Sequence, residues 1–380
     1  MGVEIHVAVP SAEGMVMPLW REAEAAIHVV GTDLAVRRPW TIPGNLRNIR
    51  KLVERVRPDI IHSYFVGTTM VLRAALGPGH PIPRIFHVPG PLHLEHRLFG
   101  KAEIALAGPR DFWIGASRKI VQLYRWYGVQ SGRVFLSYLA APPPKYTRRR
   151  GHLRARCGIP SDAVVFGNCS YMYPPKYYLG HTKGLKRHED LIDALALAGR
   201  RNGKIVGMLI GGPWGGADWY ERRLRRRARD RAGDRICMCG FLQPEEFEGA
   251  WLEFDCVVHV PISENCGGVC EPLQHGVPVI ASRVGAIPEV VLDGKTGYLV
   301  PPKSPVALAD AIQRVADDLH TARQMAARGQ QLALHMFDVR RTAPELLAIY
   351  RHILDGAPAP EPFDSRRFLA AMEAAPTVET

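Results

Sequence analysis

Two Rossmann-like α/β domains in tandem are the fold this sequence predicts, and three observations predict it. Short apolar, β-branched runs alternate with amphipathic stretches over nearly the whole chain, the rhythm of strand–helix–strand units around a parallel sheet. A proline-rich and then arginine-rich segment breaks that rhythm before mid-chain, and the alternation restarts after it. The length of 380 residues suits two domains at roughly 100–200 residues each.

In the first domain, residues 1–145, strands are expected at Val3 to Val9, Ala26 to Val30, Asp59 to His62, Arg84 to Val88, Phe112 to Ala116 and Arg133 to Ser137. Leu46, Ile49, Leu52, Val53 and Val56 recur at helical spacing between them, as do Leu123, Trp126 and Tyr127. From Ala140 to Arg156 the chain holds Pro142, Pro143 and Pro144, then Arg148, Arg149 and Arg150. Consecutive prolines fit neither a helix interior nor a central strand, so this segment reads as a linker. In the second domain, residues 146–340, strands are expected at Val164 to Asn168, Ile205 to Ile210, Arg235 to Cys239, Cys256 to Val260, Val277 to Ala281 and Tyr298 to Val300. Helices are expected at Lys186 to Arg200, Asp218 to Asp230, Pro244 to Leu252 and Pro305 to Asp318. Residues 341–380 form a C-terminal helix and tail, with a helix at Phe363 to Met372.

A hydrophobic share of 47% and a charged share of 23% exclude a mostly disordered chain. No run of about 18 residues is free of charge, which argues against a spanning helix. Met1 to Pro10 carries Glu4 and His6 inside its apolar run and lacks a basic lead, so it does not read as a signal peptide. The net charge of +12 favours anionic partners: nucleic acid, phosphorylated metabolites or an acidic membrane face. The 7 cysteines all lie in the second half. An odd count without a secretion signal favours reduced thiols and a cytoplasmic location, with peripheral contact at the inner membrane face as its extension.

The most informative stretch runs from Val257 to Val300, VVHVPISENCGGVCEPLQHGVPVIASRVGAIPEVVLDGKTGYLV. A strand ends near Pro261, and a polar loop with Gly267 and Gly268 follows. Pro272 is expected in a first helical turn, where its missing N–H costs nothing. Gly276 suits a left-handed helix stop. The loop Ser263 to Gly268 therefore feeds a helix N-terminus at the C-terminal edge of a sheet, where free N–H groups and the helix dipole attract phosphate. Glu264 and Glu271 flank it, and carboxylates accept hydrogen bonds from sugar or ribose hydroxyls.

This stretch resembles the retaining glycosyltransferases of family 4. The shared order is Glu271, then Gly276, Val277, Pro278 and Val279, then Gly285, Pro288 and Glu289, and finally Asp293, Gly294, Gly297, Leu299 and Val300. The likeness reaches back through Asp255 to Pro261, and includes Lys183-Gly184, Gly211-Gly212 and Gly240-Phe241. Here six residues separate Glu264 from Glu271, and strict counting by the family's spacing puts Ser263 at the first Glu position. The family's usual Gly-Phe-Gly reads Asn265-Cys266-Gly267, and no Arg lies between Phe166 and Lys183.

The resemblance implies the GT-B fold, two Rossmann-like domains facing a cleft, and a nucleotide-sugar donor, a UDP-sugar by preference, in the second domain. Glu271 would hold the ribose hydroxyls, and the base would sit near Gly240 and Phe241. Lys183, with Lys176 and with Lys186 as a further candidate, would neutralise the diphosphate. The loop Asn265, Cys266, Gly267 and Gly268 would assist, with no metal and no cofactor. Glu264 would be catalytic, touching donor hydroxyls or steadying the positive sugar carbon. In the first half, PDIIHSYF resembles the family's strand ending in His, and His62 reads as structural. The family often places a His after the strand Arg84 to Val88, where Pro89 stands here. His87 and His93 lie close by, and His93 is the expected acceptor-side catalytic residue. The acceptor implied is a hydroxyl on a small molecule or glycan, such as an antibiotic (aminoglycoside) or polysaccharide precursor.

Other signals compete. Cys237-x-Cys239 and Cys266-x-x-x-Cys270 invite a metal reading, yet neither has the Cys-x-x-Cys spacing of structural zinc sites. The run ERRLRRRARDR, from Glu221 to Arg231, is very basic, but its helix has few apolar anchors and reads as a solvated face. The rivals are another GT-B enzyme, a sugar-nucleotide epimerase or phosphorylase, and a basic protein binding nucleic acid or membranes; no nucleic-acid partner is expected. The N-terminal strand resembles the family's second strand rather than its first. The expectation is therefore that the first strand, its glycine loop and its helix precede the present start.

Overall fold

A computed structural model of the chain describes residues 2–14, 16–32, 38–144 and 152–374. The chain packs as two units. The first holds Met1–Ala116, Ile120–Ser137 and Glu345–Glu361; the second holds Ser117–Lys119, Tyr138–Pro344 and Pro362–Thr380.

The first unit contains β1 (His6–Val9), β2 (Ala26–Val29), β3 (Ile61–Tyr64), β4 (Arg84–Val88), β5 (Asp111–Gly115) and β6 (Val134–Leu136). Strands β3 to β6 form a four-stranded parallel sheet in sequence order. Among the described residues strand β1 pairs with β2 alone, in a separate parallel ribbon. Helices Ile42–Val56 and Val66–Leu76 pack together through Ile49, Val71, Leu72 and Ala75. Helix Val339–Asp355 supplies Ile349 to the core that Ile85 and Ile114 build, all three fully buried. Each such side chain contributes about 1.5–3 kcal/mol by leaving water.

The second unit contains β7 (Val164–Cys169), β8 (Ile205–Ile210), β9 (Ile236–Gly240), β10 (Cys256–His259), β11 (Val279–Ser282) and β12 (Tyr298–Val300). They form one six-stranded sheet in the order β12-β11-β10-β7-β8-β9, every pair parallel. All six residues of β8 are buried, as a strand covered on both faces requires. Helix His188–Arg201 covers one face with Leu191, Ile192, Leu195 and Ala198, and helix Pro305–Asp317 adds Leu308 and Ile312.

The expected α/β class and strand rhythm match the structure. Arg84–Val88, Ile205–Ile210 and Tyr298–Val300 coincide with their expected limits. The strand expected at Asp59 to His62 lies two residues later, at Ile61–Tyr64. Within the expected linker, residues 145–151, which include Arg148, Arg149 and Arg150, lie outside the described residues. Its end is helical, His152–Arg156, because Leu153 is buried there. Among the described residues no helix is long and apolar enough to cross a membrane.

Candidate functional site

The sheet of the second unit reverses its strand order between β7 and β10. Loops leaving the C-terminal ends of two such strands diverge, and ligands of open α/β sheets bind in the crevice between them. Here the loops run from Ser170 to Arg187 and from Val260 to Cys266. They are pinned together, the Ile262 N–H donating to the Leu185 carbonyl at 3.1 Å.

Each loop brings a charge to the crevice. Lys186 from the first forms an ion pair with Glu264 from the second. His259, at the end of β10, places Nε2 3.1 Å from the same carboxylate, which also accepts the Asn265 N–H at 3.1 Å. Burial pushes the Glu264 carboxyl upward, but the His259 hydrogen bond and the Lys186 charge prevail and hold it down at about 2. Burial, with Lys186 beside it, lowers the pKa of His259, so near neutrality its ring is neutral and donates from Nε2. His188 lies under the same loops, lowered to about 3 by burial and then by His259 and Lys186. Its Nε2 is 3.2 Å from Ser170 Oγ, and its buried Nδ1 has no partner among the described residues.

Two glycines are dictated by this packing. A Cβ on Gly268 would fall on the His259 imidazole. Gly285 has φ +54°, and a Cβ there would fall on the Glu264 carbonyl. Helix Gly267–Gln274 starts at the paired glycines rather than at Pro272, which lies inside it. That corrects the expected first-turn position of Pro272. The reason is that the Val269 and Cys270 N–H groups bond back to the Cys266 carbonyl at 3.1 and 3.0 Å, closing the helix one turn earlier. Gly276, with φ +68°, stops it as expected: its N–H reaches Leu273, and that of Val277 reaches Pro272, both at 2.9 Å. At the other end, the N–H groups of Gly267 and Gly268 have no backbone acceptor among the described residues. Two free donors and a helix dipole thus open beside Lys186.

The remaining expected residues fall around this point unequally. Glu271 lies on the exposed face of the helix Gly267–Gln274. Burial pushes the Cys169 thiol up and the Glu271 charge adds to that, which sets the carboxylate near the end of β7. Lys183 is committed to Asp190 at 2.6 Å, a carboxylate it shares with Arg187. Lys176 is half-buried, and burial lowers its pKa. Asn265 carries a buried Oδ1 without a partner among the described residues. The Cys266 thiol is buried and turned toward the Ala286 carbonyl, 3.7 Å away, so this residue offers the crevice its backbone. Gly240 ends β9 at φ +76°, and Phe241 after it is 59% exposed. Glu289 accepts the N–H groups of Arg118 and Lys119 at 2.9 and 3.0 Å and the Tyr138 hydroxyl at 2.6 Å, a bracing role.

The aromatic wall beside Phe241 was not expected. Tyr171 stacks with Phe241 at 6.1 Å between ring centres, and Trp214 lies 5.1 Å from Tyr171 and 4.9 Å from Tyr173. Tyr171, Trp214 and Phe241 are all exposed, an unusual expense of apolar surface at a sheet edge. The signal available was the run SYMYPPKYYLG, too aromatic for an ordinary connection. Lys186 in its role against Glu264 was equally hidden.

His93 belongs to the first unit, in the turn after β4. Its Nε2 is 3.3 Å from the Tyr124 hydroxyl, which donates to buried Glu103 at 3.1 Å. Burial lowers its pKa to about 4, so its ring is neutral near pH 7. His62 and His87 are held deeper: His62 on the Tyr350 hydroxyl, His87 Nε2 on the Ser137 carbonyl at 3.1 Å.

The cysteines depart from the expectation of reduced thiols: Cys157 and Cys237 form a disulfide. Their separation of 80 residues concealed the pairing, which the fold creates by setting the end of His152–Arg156 against β9.

Comparison with known proteins agrees in both halves. Residues 1–139 match the family model described as Glycosyltransferase Family 4, and residues 177–318 the one described as Glycosyl transferases group 1. A D-inositol 3-phosphate glycosyltransferase of Saccharomonospora viridis is 29% identical over 291 residues, covering 69% of this chain and 64% of that protein. An alpha-D-kanosaminyltransferase of Streptomyces kanamyceticus is 28% identical over 223 residues, covering 57% of this chain and 54% of that one. The chain thus spans less than two thirds of the length of these curated relatives. The crystal structure of Anabaena HepE in complex with UDP and glucose superposes with a TM-score of 0.73 at 20% identity, covering 90% of each chain.

Proposed function

We propose that this chain, which belongs to the family 4 glycosyltransferases and has their GT-B fold, moves a sugar from a nucleotide-sugar to a hydroxyl of a small-molecule or glycan acceptor, with retention at the anomeric carbon. The observation that carries the proposal is the coincidence, at the switch point of the second sheet, of the free Gly267 and Gly268 N–H groups with the Lys186–Glu264–His259 cluster.

As the bond from sugar to diphosphate breaks, negative charge gathers on the leaving phosphate. Fixed donors already aimed at that position need no reorganisation, and each is worth about 10²–10³ in rate where such donors have been removed. Gly267 and Gly268 supply two of them; Lys176 and Lys183 flank the same edge. Glu264, ionised at any pH near neutrality, lies where it can face sugar hydroxyls or the electron-poor carbon. Glu271 would accept from the ribose hydroxyls, and the base would lie against Phe241 and Tyr171. His93 is proposed to face the acceptor from the first unit. A UDP-sugar is the preferred donor, a choice supported by the UDP named with the Anabaena protein. An antibiotic or polysaccharide precursor is the acceptor class proposed; among the relatives, one name cites inositol 3-phosphate and another kanosaminyl transfer. The basic helix Asp218–Ala232 lends little to a polyanion-binding reading, since Arg225 and Arg227 are engaged by Glu221 and Asp193.

The test is nucleotide release from UDP-, GDP-, ADP- and dTDP-sugars, with and without candidate acceptors. Release from one donor that rises with acceptor, with an axial or equatorial product matching the donor, is the expected result. Sugar turnover that yields no transferred product would reject the proposal.

A further inference from the structure

Three cysteines that the proposed transfer leaves unused meet at the free edge of the second sheet. Cys237 and Cys239 stand two apart on β9, the outermost strand, so their side chains leave the same face. Cys157 arrives from the turn that follows His152–Arg156 and is joined to Cys237. Cys239 keeps a free thiol, its Sγ 3.6 Å from that of Cys157 and 3.8 Å from that of Cys237. All three are partly accessible, so an ion can reach them.

The near equality of the two distances decides between two uses of the third sulfur. In thiol–disulfide exchange the attacking sulfur lies on the extension of the bond. The far sulfur would then be about 2 Å more distant than the near one. Cys239 instead sits beside the bond, at the apex of a triangle. A triangle of sulfurs is the face that a tetrahedral thiophilic cation needs. With zinc–sulfur bonds of about 2.3 Å, neighbouring ligands stand about 3.8 Å apart. Two of the three edges, 3.6 and 3.8 Å, already lie close to that length.

We propose that the reduced chain binds one zinc ion through the thiolates of Cys157, Cys237 and Cys239, with a water molecule as fourth ligand. A dithiol reductant passes two electrons and two protons to the disulfide and leaves as its own cyclic disulfide. Cys157 and Cys237 become thiols, and zinc then displaces the three thiol protons. The complex carries one surplus negative charge. Burial pushes the Cys239 thiol up, while Arg156 beside it and Arg225, which donates to the Met238 carbonyl at 2.9 Å, favour its thiolate, each guanidinium being shared with a carboxylate, Glu246 and Glu221. The ion would tie the chain before β7 to the strand that leads into Gly240 and Phe241, replacing one cross-link by another. Cys-x-Cys alone carries no zinc signature; the third ligand comes from 80 residues upstream.

The experiment takes the full chain, reduced and freed of metal, and titrates it with cobalt and then zinc. One equivalent of cobalt should bind with a thiolate-to-cobalt charge-transfer band whose intensity counts three sulfurs, and zinc should bleach it. Cys239→Ser should weaken binding by more than the roughly 10–100-fold that losing an outer-shell partner costs. Cys256→Ala, a buried cysteine on β10, should bind as the natural chain does. No stoichiometric uptake, a band of fewer than three sulfurs, or equal affinity in both variants would overturn the proposal. The band of the natural chain decides the matter even where a variant fails to fold.

Discussion

Each unit contains a cluster of charged side chains, and the two are built to opposite ends. In the first unit Arg73 and Arg84 meet Asp111 at 3.2 and 2.6 Å, while Arg73 also pairs with Glu103. Trp113 and Tyr124 donate to the same Glu103 at 3.0 and 3.1 Å, and all four charged side chains are at most 2% exposed. The cluster is neutral and closed on itself. In the second unit Lys186 and Glu264 are 16% and 15% exposed, Lys183 is 30% exposed, and the neighbouring Gly267 and Gly268 N–H groups are open. Buried charge that is fully paired fixes an architecture; charge held at a strand-order reversal beside free donors is available to a ligand. His93 hangs from the closed cluster through Tyr124, so its ring is positioned by structure even if its other face serves an acceptor.

Removing one member of the closed cluster should give the largest effect. Asp111→Ala leaves buried Arg84 facing no carboxylate and Arg73 with Glu103 alone, and should cost about 3–5 kcal/mol of stability, read by urea unfolding. A loss below about 1 kcal/mol would mean that the first cluster is as open as the second. A change beside the open cluster, on the exposed face of the helix Gly267–Gln274, should spare the fold and damage activity. Glu271→Ala should lower kcat/KM for the donor at least about tenfold, given charge-assisted hydrogen bonds of about 1.5–3 kcal/mol, with the melting temperature unmoved. Near-normal turnover in the folded variant would end the ribose assignment.

Acid should separate the two clusters further. The Glu264 carboxyl is held at about 2, below its ordinary 4.5, so its contribution to stability is present above that ordinary value and is lost as pH falls toward 2. Unfolding measured at pH 7 and pH 3 should show this loss in the natural chain. Lys186→Met should lower the stability at pH 7 and make the acid-dependent part shallower; an unchanged profile would show that Lys186 does not hold Glu264. The smallest effect expected is none: removing divalent cations with a chelator should leave sugar transfer intact, since in the proposed function fixed N–H groups and lysines take the place of a metal at the diphosphate. Turnover abolished by chelation and restored by magnesium or manganese would contradict it.

Much of the second unit was legible because its strands are buried on both faces and read as unbroken β-branched runs, such as Ile205–Ile210. The strand Ile61–Tyr64 was misplaced because the β-branched pair Ile60-Ile61 reads as a strand centre, whereas the ladder begins at Ile61 and runs on through the polar Ser63 to Tyr64. The helix at Gly267 was hidden by its own composition. Paired glycines are poor helix formers, and they are there because His259 leaves no room for a side chain at Gly268. Lys186 with Glu264, Tyr171 with Phe241, and Cys157 with Cys237 are meetings of distant segments, created by sheet order rather than by local spacing. The position of Glu271 after the loop was readable from its neighbours in sequence; the partners of Lys183 were not, since Asp190 faces it only once the helix His188–Arg201 has formed.

The strand-order reversal of the second sheet is the place proposed for the donor nucleotide. Hydrogen exchange of the full chain, with and without saturating UDP, GDP, ADP or dTDP, tests it most directly. The nucleotide that binds should slow exchange at Asn265 to Cys270 and at Gly240 to Leu242, leaving the closed cluster around Asp111 unchanged. Protection confined to other segments by a nucleotide that demonstrably binds, or no binding of any of the four, would contradict it.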